Sequence, residues 1–232
     1  MLELDSVDGY YEKSHILKDL SLDVDSDEIV ALLGRNGAGK TTTCRAIMGV
    51  LSRVDGRISM NDTDITGQSP DKVYKTGIAW IPERRRIFAN LTVAENLEMG
   101  LTDHDQRESR FAEVFELFPR LEERLEQKGG TMSGGEKQML AIGRALVSDP
   151  DLLLVDEPFE GLMPSLVDDV ADALDELAQK DIAMIIADQQ TDKALDLADR
   201  AYIIENGSIV HEDDAASVAG DQELLEKYLG VQ

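Results

Sequence analysis

The stretch Gly34-Arg35-Asn36-Gly37-Ala38-Gly39-Lys40-Thr41 decides how this chain folds. A glycine, four residues and then Gly-Lys-Thr form the P-loop pattern. Before it, Glu28-Ile29-Val30-Ala31-Leu32-Leu33 reads as a buried strand. After it, Thr41 to Met48 reads as a helix without a breaker. A tight glycine turn between strand and helix aims backbone N–H groups and the positive helix end at one point, which suits a phosphate chain. Lys40 is expected to reach the β- and γ-phosphates, and Thr41 to place its hydroxyl on Mg²⁺. A purely structural turn has no use for Lys-Thr at this spacing. The stretch implies a bound nucleoside triphosphate.

Working outward, the 232 residues are enough for one substantial core with an insertion, or for two small subdomains. No apolar run approaches the roughly 18 residues of a membrane-spanning helix. The first residues, Met1-Leu2-Glu3-Leu4-Asp5, show neither the basic start nor the apolar run of a secretory signal, so a cytoplasmic location is expected. The single cysteine, Cys44, allows no internal disulfide and reads as a small buried helix residue. With 47 acidic against 23 basic residues the net charge is −24, which argues against nucleic acid as a partner. The acids are spread along the whole chain, which suggests a salt-rich cytoplasm, where high ionic strength screens self-repulsion, with an acidic mesophilic surface as the alternative.

Strands and helices alternate along the chain, implying a mostly parallel α/β core. Leu2 to Val7 and Leu20 to Val24 alternate in polarity as half-buried strands, and Gly56 to Met60 leads into an Asn61-Asp62 turn, giving an N-terminal antiparallel β-layer. Gly77 to Pro82 is a short buried strand, followed by the run Glu83-Arg84-Arg85-Arg86-Ile87-Phe88. From Leu91 to about Lys128 the character is helical, with Phe111, Val114, Phe115 and Phe118 spaced as a helix core. Ser133 and Glu136 have capping-box spacing and open a helix through Leu146. Leu152 to Glu157 reads as an apolar strand buried on both faces and ending in two carboxylates, and Ile182 to Ala187 as another buried strand. Leu166 to about Lys180, Ala194 to Ala198 and Ser217 to Leu229 read as helices, and Asn206-Gly207 as a hairpin turn.

Ligands of open α/β sheets collect at the carboxyl ends of strands. Three apolar strands here end in polar groups: Glu83 after Pro82, the pair Asp156-Glu157, and Gln189. Asp156 suits the Mg²⁺ shell, and Glu157 suits the acceptance of a proton from the attacking water, or its orientation. Ser133-Gly134-Gly135 offers a second set of backbone N–H groups to an anion. Since the P-loop already cradles the phosphates, a second cradle suggests a site shared between molecules.

GRNGAGKT, MSGGEKQ and LLLVDEP together resemble the nucleotide-binding subunit of an ATP-binding cassette (ABC) transporter, over essentially the whole chain. IPERRRIF, LTVAENLEMG, ELFPRL, GTMSGGE and the terminal KYLG are similar to one of the two ATPase subunits of branched-chain amino acid importers. The resemblance implies a single ABC ATPase domain: a P-loop core over residues 1–88 and 150–232, and a helical subdomain over about 89–149. It implies ATP and Mg²⁺ as ligands. Tyr11 would stack on adenine, with Tyr10 as a rival. Asn36, Gly37, Ala38, Gly39, Lys40, Thr41 and Thr42 would cradle the phosphates. Thr41, Glu83 and Asp156 would surround the metal, and Lys40, Glu157 and Gln189 would serve hydrolysis. Ser133, Gly134 and Gly135 would cover the ATP of a second ATPase subunit, identical or a sister. The helical insertion would dock two transmembrane permease subunits at the cytoplasmic membrane face, and a solute-binding protein would take part indirectly.

Two residues depart from the general ABC pattern, Glu83 where glutamine is usual and Gln189 where histidine is usual. The branched-chain importer subunit shares both, and Glu157 leads us to expect hydrolysis still. Importers of urea or short amides use very similar ATPase subunits and remain an alternative. A soluble non-transport ABC ATPase fits less well, because this chain has one P-loop and a short insertion.

Overall fold

The computed structural model describes residues 1–230, and its core is a six-stranded sheet whose order differs from chain order. Strands β1 (Leu2–Tyr11), β2 (Ser14–Val24), β4 (Arg53–Met60) and β5 (Thr63–Asp64) form an antiparallel sheet ordered β2-β1-β4-β5. Strands β3 (Ile29–Leu33), β6 (Ile78–Ile81), β7 (Leu152–Asp156), β8 (Ala183–Asp188), β9 (Arg200–Glu205) and β10 (Ser208–Asp214) form the second sheet, ordered β10-β9-β3-β8-β7-β6. Its strands run parallel except at the β9–β10 hairpin. The two turns expected from Asn61-Asp62 and Asn206-Gly207 both close hairpins, with all four residues at positive φ. This matches the twist a two-residue hairpin requires.

Helix α1 (Lys40–Ile47) lies between the two sheets. Its Cys44, Ala46 and Ile47 pack with Leu2, Leu4 and Leu22 on one side and Leu32, Leu154 and Ile185 on the other. Cys44 is buried, as its place in the pattern implies. Alternation along β3 divides the protein: Val30 and Leu32 face α1, whereas Ile29, Ala31 and Leu33 face the opposite core. That second core is closed by α6 (Gly134–Leu146) and α7 (Pro164–Ala178), through Leu140, Ile142, Val170 and Leu174. Each such fully buried aliphatic side chain stabilises the fold by about 1.5–3 kcal/mol.

Two helical stretches are more broken than their patterns suggest. The run from Leu91 to Lys128 divides into α3 (Val93–Glu98), a 3₁₀ turn His104–Gln106, α4 (Arg107–Leu117) and α5 (Pro119–Glu122). Pro119 forces the break after α4, because the residue before proline avoids helical geometry and Phe118 sits at φ −130, ψ 71. Phe111, Val114 and Phe118 are nonetheless buried, with Phe115 packed at the edge of the same core. The C-terminal stretch divides into α9 (Ala215–Gly220) and α10 (Gln222–Tyr228). Asp221 leaves the helix between them, and its carboxylate accepts the Leu224 N–H at 3.0 Å as a cap. Two short helices, α2 (Pro70–Tyr74) and α8 (Thr191–Leu197), complete the set. Among the described residues no helix is long and apolar enough to cross a membrane.

Candidate functional site

The site lies where β3, β7 and β8 end side by side. The chain leaves β3 at Leu33, which pairs with Asp188 at the end of β8, and Asp156 at the end of β7 pairs with Ala187. Gly34 opens the loop because its neighbour leaves no room: a Cβ there would stand 2.6 Å from the Ile204 carbonyl oxygen. Gly39, at φ 130, turns the chain into α1 through a backbone conformation that L side chains rarely adopt. No side chain caps α1 and no acidic residue stands in its first turn. The first-turn N–H groups of a helix lack intrahelical partners, so this end favours an anion.

Lys40 is the buried cation of the site. Its Nζ donates to the Gly34 carbonyl oxygen at 2.8 Å and lies 3.4 Å from Glu157 Oε1. An ammonium has three donors, so one remains for a third acceptor. The Thr41 hydroxyl donates to Asp156 Oδ1 at 3.0 Å, while the buried Oδ2 of Asp156 has no hydrogen-bond partner. Burial, reinforced by the negative charge of Glu83, pushes the Asp156 carboxyl up to about 6 against the stabilising Thr41 hydrogen bond. Glu157 is pushed up to about 7, first by burial and then by Glu160, with Lys40 opposing. Glu157 also adopts φ 51, held there by its N–H donating to the Ala187 carbonyl oxygen at 2.7 Å. Left-handed backbone at a non-glycine residue carries strain and is concentrated at working sites.

Thr41, Asp156 and Glu83 are hard oxygen donors, the kind Mg²⁺ takes, and the orphaned Asp156 Oδ2 is an acceptor suited to such a cation. Among the described residues no three carboxylate, imidazole or thiolate groups converge as a self-sufficient metal site. A cation here therefore needs oxygens from the phosphate chain as well.

Lys40, Thr41, Asp156 and Glu157 thus meet directly, and Glu83 joins them through its charge on Asp156. Asn36, Gly37 and Ala38 form the loop itself, and Thr42 is buried in the first turn of α1. Gln189 is exposed immediately after Asp188, at the same end of the sheet. Tyr11 lies at the end of β1, where its hydroxyl accepts a hydrogen bond from Arg45 of α1 at 2.7 Å. Tyr10 instead stacks on His15, ring centroids 4.5 Å apart. Ser133 caps α6 with the full capping box expected with Glu136. Among the described residues, no hydrogen bond or ion pair joins Ser133, Gly134 or Gly135 to the loop 34–41.

Asp188 was legible but unassigned: like Asp156, it ends an apolar strand. It is fully buried, accepts the Gln190 N–H at 2.7 Å on Oδ1, and leaves Oδ2 without a partner. Arg85 gave no signal beyond its place in a basic run, yet it bonds Gln138 at 2.7 Å and the Glu160 carbonyl oxygen at 3.0 Å.

A glycine-rich loop on a buried lysine after β3, with paired acids at the end of β7 one strand removed, defines a P-loop nucleoside-triphosphate-binding protein. The family model "ABC transporter" matches residues 17–160. The chain is 44% identical over 232 residues to the high-affinity branched-chain amino acid transport ATP-binding protein BraG of Pseudomonas aeruginosa, covering 99% of this chain and 100% of that one. It is 31% identical to the probable branched-chain amino acid transport ATP-binding protein LivF of Archaeoglobus fulgidus, covering 100% and 99%. It is also 35% identical to the lipopolysaccharide export system ATP-binding protein LptB of Escherichia coli, covering 95% and 93%. The crystal structure of a nucleotide-free ATP-binding cassette from an ABC transporter superposes with a TM-score of 0.86 at 26% identity, covering 100% of this chain and 99% of that one. The ADP conformation of an ABC transporter cassette gives 0.85 at 27%, with the same coverage. This chain belongs to the ABC transporter family, as an ATP-binding subunit with ATPase activity.

Proposed function

We propose that this chain energises an importer of branched-chain amino acids by hydrolysing ATP at the loop 34–41. The observation that carries the hydrolytic reading is the approach of Glu157 to Lys40 at 3.4 Å beside an uncapped helix start. The cargo reading rests on the likeness to BraG. LptB, at 35% identity, serves a lipopolysaccharide export system, so cassettes of similar sequence power different cargo.

In this reading the phosphates lie on the backbone N–H groups of residues 36–42, and the free donor of Lys40 takes the γ-phosphate. Tyr11, oriented by its Arg45 hydrogen bond, stacks on adenine. Thr41, Asp156 and Glu83 hold Mg²⁺, which when bound neutralises charge developing on the β- and γ-oxygens. Glu157 accepts the proton of the attacking water at its carboxylate, and Gln189, a neutral donor, orients that water or the γ-phosphate. Ser133, Gly134 and Gly135 cover the ATP of a second ATPase subunit, for which a sister chain is the favoured candidate. Two ATP molecules are then sandwiched between head-to-tail subunits. Closure of that pair drives two permease subunits docked on residues 89–149 at the cytoplasmic membrane face, and hydrolysis reopens it.

Uptake of labelled leucine, urea and short amides in cells lacking this chain tests the proposal. Loss of leucine uptake alone supports it, and loss of urea or amide uptake alone overturns the cargo assignment.

A further inference from the structure

Glu157 and Gln189, the proposed base and its orienting partner, lie on different loops, and both loops are tied to the last two residues of β8. The Ala187 carbonyl oxygen accepts the Glu157 N–H at 2.7 Å and so holds the left-handed backbone at Glu157. The next residue, Asp188, is fully buried. Its Oδ1 accepts the Gln190 N–H at 2.7 Å. A carboxylate bonded to the backbone two residues on closes an Asx turn, and the middle residue of this one is Gln189. Gln189 itself is exposed, and its carbonyl oxygen accepts the Thr191 hydroxyl at the start of α8 at 3.4 Å.

Asparagine or serine would close the same turn without a charge. A buried carboxylate costs more than either unless other groups compensate it. Here the compensation comes from both loops. Burial pushes the Asp188 carboxyl up, while the N–H groups of Gln190, Phe159 and Gln189 and the charge of Lys40 act in the opposite sense. Phe159 lies two residues beyond Glu157 and is itself buried. Asp188 also pairs in register with Leu33, which leads into the loop 34–41, and so brings its charge near Lys40. Its Oδ2 completes no hydrogen bond, so the Phe159 and Gln189 N–H groups act on the carboxylate from longer range. Attraction of that kind needs a full charge, which a hydroxyl or an amide does not supply.

We propose that Asp188 is a positioning residue, whose carboxylate fixes the turn 188–190 against the loop after Glu157 and thereby places the Gln189 amide relative to the Glu157 carboxylate. This inference rests on the roles proposed for Glu157 and Gln189 in hydrolysis. A double-mutant cycle tests it, with single-turnover phosphate release from this site in the assembled transporter measured at saturating ATP. ATP affinity is measured by calorimetry alongside. Asp188→Asn keeps an acceptor for the Gln190 N–H but loses the charge that faces the other two. It should slow release about tenfold, the scale of a misplaced reacting group. ATP affinity should stay within about twofold, because no Asp188 hydrogen bond reaches the loop 34–41. The Tm should be no lower than wild type, since a buried charge has been removed. Gln189→Ala should slow release to a similar extent. The double variant should then be at most about twofold slower than Gln189→Ala, whereas independent residues would multiply their losses to about 100-fold. Asp188→Ser, which still accepts the Gln190 N–H, carries the same cycle if Asp188→Asn fails to fold. Multiplied losses, a wild-type rate in Asp188→Asn, or a weakened ATP affinity overturns the proposal. A wild-type rate in Gln189→Ala overturns the role of Gln189 instead.

Discussion

Lys40 Nζ stands 3.4 Å from Glu157 Oε1, with only 4% and 10% of the two side chains exposed. The lysine is thereby shared between the carbonyl of Gly34, the acid at the end of β7 and the space at the start of α1. Arrival of a phosphate would draw the ammonium toward a stronger anion and release the carboxylate to act on water. Coulomb attraction in so dry a setting is several times that in bulk water, so this exchange matters energetically.

Glu157→Gln keeps the shape of that acid and removes its basicity. Single-turnover phosphate release from this site in the assembled transporter is expected to fall at least about 100-fold, within the range a general base contributes. ATP affinity, measured by calorimetry, stays near wild type. An unchanged release rate would remove Glu157 from the role of base.

The pH dependence follows with a definite sign. Glu157 is pushed up to about 7 in the free protein, and a base works only when deprotonated. The kcat/KM for ATP should therefore rise about tenfold per pH unit below 7 and level off above it, as the free-enzyme base titrates. A profile already flat at pH 5.5 contradicts the assignment.

Asp156→Asn should separate stability from activity. Raised from 3.8 to about 6 by burial, the carboxyl is most favourable to the fold below pH 3.8, and that benefit is lost as pH rises through 6. Asparagine removes the buried charge and can still accept the Thr41 hydrogen bond. At pH 8 the nucleotide-free variant should be more stable, by at most about 3 kcal/mol at 1.36 kcal/mol per unit, with a higher Tm by calorimetry. Mg²⁺-dependent ATP hydrolysis should nevertheless be abolished.

Tyr11 offers its ring to the ligand and its hydroxyl to Arg45. Tyr11→Phe should leave ATP affinity within about twofold. Tyr11→Ala should weaken it by about 1 kcal/mol, near fivefold, the scale of one aromatic stacking contact. Equal affinities for all three would return the role to Tyr10.

A net charge of −24 makes the surface repel itself. The screening length shrinks from about 10 Å at 0.1 M salt to about 3 Å at 1 M. The Tm should therefore rise between low and molar KCl, and a melt unchanged by KCl would end the idea of a salt-adapted surface.

Much of this site is legible in the chain because its signals are local. The loop 34–41, the Ser133–Glu136 cap and the acids ending β7 each declare themselves within eight residues. Local propensity also misleads where tertiary packing and proline intervene. The run from Leu91 to Lys128 is helical in character but divides after Glu98 and again at Phe118, and Asp221 divides the last helix by capping its second half. Asp188 resembles Asp156 in sequence, but only burial without a partner for Oδ2 distinguishes it as part of the site.

Taken alone, the sequence determined which chemistry this protein carries: a phosphate loop, a lysine, two adjacent acids and an exposed capped helix start. Only the tertiary structure decided which of them meet. Thr41 reaches Asp156 across 115 residues, and Arg85 reaches Gln138 and Glu160, because the core strands are ordered β3-β8-β7-β6 rather than as the chain lays them down. That order comes from burying both faces of a twisted parallel sheet under crossover helices, a condition on the whole fold rather than on any local stretch.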